Sequence, residues 1–206
     1  MRKLIVAEHI SLDGVIQAPG GPDEDPSGGF ALGGWSAPFA DDAGGKELED
    51  LLAQPFELLL GRRTYDIWAA YWPHVQAGSG SRGIADLFNG TRKHVATHRG
   101  ETLGWHNSHA LQGDIASAVR ALKATDGPVL HTWGSSEMVR QLLAAGLVDE
   151  LRLMVYPVVL GPGKRLFGGD ALPSTFTLAR SVTSPTGVLL TRYQRGGEVR
   201  AGTFKD

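Results

Sequence analysis

The chain has 206 residues, 42% of them hydrophobic and 20% charged, with 28 Gly and 11 Pro. That is a length suited to one domain with a sizeable core, and it excludes a coiled coil, a collagen-like repeat and a wholly disordered chain. Lys and Arg number 20 against 22 Asp and Glu, a net charge of −2, and Cys is absent; the balance gives no electrostatic footing for nucleic acid or an acidic membrane, and the missing thiols exclude disulfides, thiolate catalysis and Cys-ligated metal.

The opening MRKLIVAEHISLDG carries one short apolar run, Leu4 to Ala7, before Glu8. This falls short of the roughly 7 to 15 apolar residues of a signal-peptide core, and no later run reaches the roughly 20 of a membrane helix, so a cytoplasmic protein is expected. Leu4–Ala7 with His9 and Ile10 reads as a strand buried on both faces. From Gln17 to Gly45 the chain is dense in Gly, Pro, Asp and Ser, too long and irregular for a plain connection. Its Phe30, Leu32, Trp35, Pro38 and Phe39 are unfavourable in water, so a docked lid is expected rather than a disordered insertion.

Lys46–Ala53 then reads as a helix with Leu48, Leu51 and Leu52 on one face, followed by a strand at Glu57–Leu60 and a second helix just after Gly61. Ile84–Asn89 reads as a helical turn, and Lys93–Thr97 as a strand. Asp114 is placed to cap a helix running to Lys123, ahead of a strand at Val129–Thr132. Met138, Leu142 and Leu143 mark a further helix ending at Ala145 and Gly146, and Glu150–Tyr156 a strand stopped by Pro157. Thr175–Ser181 and Val188–Arg195 form a closing hairpin about Ser184–Gly187, and residues 196–206 are a tail that is either a short edge strand or frayed. This alternation predicts an α/β protein, a three-layer α/β/α sandwich whose central sheet is mostly parallel with an antiparallel C-terminal hairpin, all in a single domain of residues 1–206.

In such sheets ligands bind beyond the carboxyl ends of the strands, so the strand-to-helix junctions carry the functional reading. Gly61, Arg62, Arg63 and Thr64 place a permissive backbone, two guanidinium groups and a hydroxyl at a helix N-terminus, where free amides and the helix dipole favour an anion. The same residues also suit a capped helix with two solvated arginines. Trp133, Gly134, Ser135, Ser136 and Glu137 form a second such junction, without the Gly-x-Gly-x-x-Gly or P-loop pattern. Two phosphate-competent junctions, with a basic turn at Thr97, His98 and Arg99, favour a dinucleotide over a single phosphate, and the spare arginines suit a 2′-phosphate. The histidines lack carboxylates at ligand spacing, so no metal is expected. Trp68, Tyr71, Trp72 and Pro73 read as core or dimer interface, and no Gly-x-Ser-x-Gly elbow marks a hydrolase.

The order SLDG, LLLGRRTYDIW, a Gly-Ser turn, then VDELRL and PVVLGPGKRLF resembles the dihydrofolate reductase-like superfamily. More narrowly it is similar to the branch holding the C-terminal reductase domain of the bifunctional riboflavin-pathway deaminase/reductase, over Lys3 to about Arg195. The resemblance implies a homodimeric oxidoreductase that passes a hydride from NADPH to a small pterin- or pyrimidine-like substrate; a non-catalytic binding protein reusing the fold is the alternative. Carried across, Gly61–Thr64 hold cofactor phosphates, Thr97, His98 and Arg99 the adenosine ribose and its 2′-phosphate, and Gly134–Glu137 the pyrophosphate. Asp13 and Gly14 begin the flexible loop near the nicotinamide, with Asp13 the candidate catalytic group, and Ala7 ends the strand lining the ring pocket. Trp35 and Phe39 would wall the substrate, joined by Thr132 and Trp133, which stand where the family has a substrate-contacting Glu and a Gly. The helix acid of dihydrofolate reductases would fall near Gly45 or Lys46; Asp41, Asp42, Glu47 and Asp50 are the nearest carboxylates.

Overall fold

The computed structural model describes residues 1–98, 102–168 and 172–204. The first strand, β1 (Leu4–Ser11), is a nearly unbroken apolar run, which suits a position with sheet on either side and helices above and below. Accordingly β1 pairs in parallel with β5 (Val129–Thr132) on one edge and β6 (Glu150–Tyr156) on the other. The remaining strands are β2 (Phe56–Gly61), β3 (Lys93–Ala96), β4 (Ser108–Leu111), β7 (Phe176–Thr183) and β8 (Leu189–Arg195), and the eight-stranded sheet runs β4-β3-β2-β5-β1-β6-β8-β7. All pairings are parallel except β6 with β8 and β8 with β7, the antiparallel C-terminal hairpin.

The two-residue strand period sorts the core into two layers. Leu4 and Val6 of β1 and Leu59 of β2 join Val119, Met138, Val139 and Leu142, contributed by α4 (Ile115–Ala124) and α5 (Ser136–Ala144). Ile5 and Ala7, with Phe56, Leu58 and Leu60, face the other way onto Leu51, Leu52, Tyr65 and Phe88. These come from α1 (Asp42–Leu52), α2 (Arg62–Tyr71) and α3 (Arg82–Gly90). Leu58, Leu59 and Leu60 are all fully buried, each worth about 1.5 to 3 kcal/mol relative to exposure.

The elements differ from the sequence reading in four places. Helix α1 begins at Asp42 rather than Lys46, because Asp41 accepts the Gly44 amide at 2.9 Å and the cap offsets the low helical propensity of Gly44 and Gly45. The irregular segment therefore ends at residue 41. Residues 82–90 form a full helix rather than a turn. The edge strand β4 was not anticipated, since SHAL is short, half polar and largely exposed. The start of the tail is held beside β7, with the Gly196 amide donating to the Thr175 carbonyl at 2.8 Å.

Candidate functional site

Strand β2 sits beside β5, yet α2 leaves β2 on one face of the sheet and α5 leaves β5 on the other. Such a switch point opens a crevice at the carboxyl ends of the strands. A cleft of about 950 Å³ lies there, bordered by Gly61–Thr64, Thr97 and His98, and Gly134–Glu137. The structure thus brings together the two junctions singled out in the sequence; Arg99 lies outside the described residues.

The two junctions are laced to each other. Ser135 Oγ accepts the Gly61 amide at 2.9 Å and donates to the Trp133 carbonyl at 3.0 Å, while the Ser135 amide donates to Thr64 Oγ1 at 3.0 Å. Gly134 (φ 55°) and Ser135 (φ 48°) are both left-handed. A Cβ at Gly134 would lie 2.9 Å from Thr64 Oγ1, so this turn needs glycine for both conformation and space. The Ser135 and Thr64 hydroxyls therefore serve the cradle itself, leaving helix amides and side chains to face a ligand. Arg62 Nε bonds Asp66 at 2.8 Å, whereas Arg63 has a 62%-exposed side chain whose contact with Asp25 is a loose 3.4 Å. Gly113 and Asp114, at the start of α4, border the same cleft, so three helix N-termini converge on it.

The opposite wall comes from the loop expected to act as a lid. Gln17 ties it together: its Nε2 donates to the Asp25 and Ser27 carbonyls, each at 2.9 Å, and its Oε1 accepts the Lys164 amide at 3.0 Å. Lys164 Nζ ion-pairs with Asp25 and bonds Ser27 Oγ at 2.7 Å. Gln17, Ala18, Pro19, Gly20, Glu24 and Asp25 all line the cleft. The loop's aromatic residues do not. Trp35 and Phe39 meet the edge of Tyr156 at 5.2 and 5.8 Å, and Trp35 donates its indole N–H to the Gln17 carbonyl. They were expected to wall the substrate; the structure places them in and against a third apolar cluster that docks the loop.

The floor is apolar and aromatic. Trp133 is 8% exposed and packs on Trp68 and Phe88, each at 5.6 Å between ring centres, while still lining the cleft. Trp68 and Trp72, read as core or dimer interface, do pack against the second apolar layer, and their half-buried side chains also line the cleft. A smaller pocket under α1 adjoins the cleft and shares Glu8, His9, Leu48 and Trp133 with it; Ala7 lines only this pocket. Glu47, also lining it, is buried and caged: Arg192 binds it twice, at 2.6 and 2.8 Å, and Arg180 once at 2.7 Å.

Two further expected site residues lie elsewhere. Asp13 is not among the cleft-lining residues. Its carboxylate accepts from Ser11 Oγ at 2.7 Å, from the Leu160 and Gly161 amides at 3.1 and 2.9 Å, and from Arg165 at 3.2 Å. Those hydrogen bonds, Ser11's foremost, hold it far below the usual carboxylate range. Asp13 thus fastens the turn after β1, in which Gly14 has φ 85°, to residues 160–165. Thr132 is fully buried and lines neither pocket.

Glu8 and His9, overlooked in the sequence reading, stand where cleft and pocket meet. Glu8 is 4% exposed; its Oε2 accepts the Gly134 amide at 3.0 Å and its Oε1 is buried without a hydrogen-bond partner among the described residues. Burial pushes its carboxyl well above the ordinary value; the Gly134 bond opposes this and the charge of Glu24 adds to it. Burial lowers His9 to about 4, and its Nδ1 lies 2.6 Å from the Tyr156 hydroxyl, itself pushed up to about 12 by burial. The available signal was a charged residue interrupting LIVA-E-HI, a strand otherwise buried on both faces.

Fold and cleft together define a doubly wound α/β protein with a nucleotide-sized crevice at its switch point. The chain belongs to the RibD C-terminal domain family, whose model matches residues 2–190. It is 26% identical over 200 residues to YyaP of Bacillus subtilis (strain 168), covering 95% of this chain and 96% of that protein. Two solved structures share its fold. One is a putative riboflavin biosynthesis protein from Shewanella sp. PV-4, with TM-score 0.64, 20% identity and coverage of 95% of this chain and 99% of that one. The other is a pyrimidine reductase-like protein from Corynebacterium diphtheriae, with TM-score 0.60, 16% identity and coverage of 96% and 93%.

Proposed function

We propose that this protein is an NADPH-dependent reductase of a small pterin- or pyrimidine-like heterocycle. The observation that carries the reading is the laced pair of helix N-termini, Gly61–Thr64 and Gly134–Glu137, opening on one cleft of about 950 Å³. The residues present fit a dinucleotide: Gly61 and Gly134, where a Cβ would meet Ser135 or Thr64, let the two junctions close together so that both helix starts face one cleft. The amides at the starts of α2 and α5 suit the pyrophosphate. Arg63 and His98, both exposed on the cleft, suit a 2′-phosphate. Trp133, Trp68, Phe88 and Leu48 give the same cleft an apolar lining and would exclude water from the ring being reduced. The bound cofactor supplies the hydride; the chain binds, orients and shields.

Titrating the intrinsic tryptophan fluorescence with NADPH and with NADH tests this, since Trp133, Trp68 and Trp72 all line the cleft. Saturable quenching with tighter NADPH binding is expected. Arg63→Ala should weaken NADPH by about tenfold to a hundredfold, the range of a hydrogen-bonded charge, and NADH far less. No quenching and no change in melting temperature with either nucleotide would overturn the reading.

A further inference from the structure

The geometry points to Glu8 as the catalytic acid that protonates the nitrogen of a C=N acceptor while its carbon receives the hydride. The assignment rests on the reductase reading, whose heterocycle presents the C=N bond, and adds to it the proton donor. Glu8 is one of four residues shared by the wide cleft of about 950 Å³, where both the cofactor ring and the substrate ring would have to lie, and the small pocket under α1, whose volume of about 20 Å³ has room for a water molecule. Its Oε2 is fixed by the Gly134 amide at the lip of the phosphate cradle, which leaves Oε1, buried and without a partner, as the free end of the group. A buried oxygen in that condition is unfavourable unless a ligand completes it.

The other carboxylates near the pocket are engaged. Glu47 is enclosed by Arg180 and Arg192, Asp50 pairs with Lys46 at 2.6 Å, Asp41 caps α1, and Asp13 lies outside the site. His9, lowered to about 4, carries no proton to give near neutral pH. The charged groups on the other elements around the cleft include Glu24 of the loop, Arg62 and Arg63 of α2, Glu137 of α5 and Lys164. Of these, Glu24 acts on Glu8 in the direction of keeping its proton.

The step balances without any further reactant. With a bound nicotinamide supplying hydride to the carbon of C=N, the π pair would move to nitrogen, and Glu8 would give its Oε1 proton to that nitrogen. The products are the amine, oxidised nicotinamide and a Glu8 carboxylate that the Gly134 N–H holds until solvent in the open cleft returns the proton.

Carbon-13 NMR on protein labelled at the glutamate carboxyl carbons, with Glu8→Gln to assign the signal, reads the group directly and needs no cofactor. Glu8 is expected to be neutral at pH 7; an ionised carboxyl there would overturn the proposal. Glu8→Gln and Glu8→Asp are then compared with the unaltered protein in NADPH titrations and in NADPH oxidation with 6-methyl-7,8-dihydropterin as the C=N probe. Glu8→Gln should bind NADPH within about twofold of the parent and lose kcat by about 100-fold, the scale of general acid catalysis. Glu8→Asp should recover part of the rate, and the fall of kcat at high pH should disappear in Glu8→Gln. Equal kcat in parent and Glu8→Gln, or no turnover of the probe by parent protein saturated with NADPH, would overturn the assignment. Failure of the parent to bind NADPH would instead sink the reductase reading on which it rests.

Discussion

Glu8 and Glu47 are both nearly buried carboxyl groups on one small pocket, yet their surroundings are opposite. Glu47, on α1, meets two guanidinium groups from β7 and β8 through three hydrogen bonds of 2.6 to 2.8 Å. Glu8, on β1, meets a single backbone amide and has one oxygen unpartnered. Burial alone therefore does not say what an acid does here. A group enclosed by opposite charges is a fastening between elements, whereas one enclosed by apolar wall with an empty valence is available to a ligand.

The largest effect that would test this contrast is removal of the caged acid. Glu47→Ala leaves Arg192 partly buried beside Arg152, with Arg180 also released, and should destabilise the protein by about 3 to 5 kcal/mol, read by urea unfolding. A loss below about 1 kcal/mol would mean that the cage is decoration and that Glu47 is free for other work. Glu8→Gln should act with the opposite sign. The unfolded carboxyl releases its proton near the ordinary value of 4.5 while the folded one keeps it to higher pH. Parent stability is therefore present in full below about pH 4 and falls as pH rises through that window. The Gln variant escapes this fall, so its Tm should match the parent's near pH 4 and exceed it by a few degrees at pH 8, about 2 to 4 °C per kcal/mol for a chain of this size. A variant less stable than the parent at pH 8 would place Glu8 with the structural acids.

The smallest expected effect belongs to an intermediate case. Asp41 is half-buried and well bonded, to the Gly44 amide first and then to Thr186 and Ser184, and these hold it at about 2. Its contribution is present above about pH 4 and lost as pH falls through about 2. Asp41→Asn should lower Tm slightly at pH 7 and not at all at pH 2, a difference that scanning calorimetry would resolve.

Much of this arrangement was legible in the amino-acid order. The nearly continuous apolar run of β1 announced a central strand, and the glycine-containing junctions after β2 and β5 announced the cradle, because backbone freedom at a helix start is a local requirement. What failed was non-local. Trp35 and Phe39 had to be covered, but no local pattern says whether the cover is a ligand or Tyr156. Asp13 sits at a motif position that the resemblance assigns to the nicotinamide end, yet two amides 147 and 148 residues away claim its oxygens. Strand β4 has four residues, too few to show a period. Glu8 was visible as a charge in an apolar strand, and only the fold shows that it meets Gly134.

The lacing of Gly61, Thr64, Gly134 and Ser135 has a consequence for how tightly anything can be held there. The hydroxyls of Thr64 and Ser135 are tied down across the gap between two helices before any ligand arrives. The shape of the anion seat is thus settled during folding, when ordering each side chain costs about 0.5 to 1.5 kcal/mol, and that loss of freedom is not exacted again at encounter. Affinity in this seat is a property the chain acquires once, as it folds.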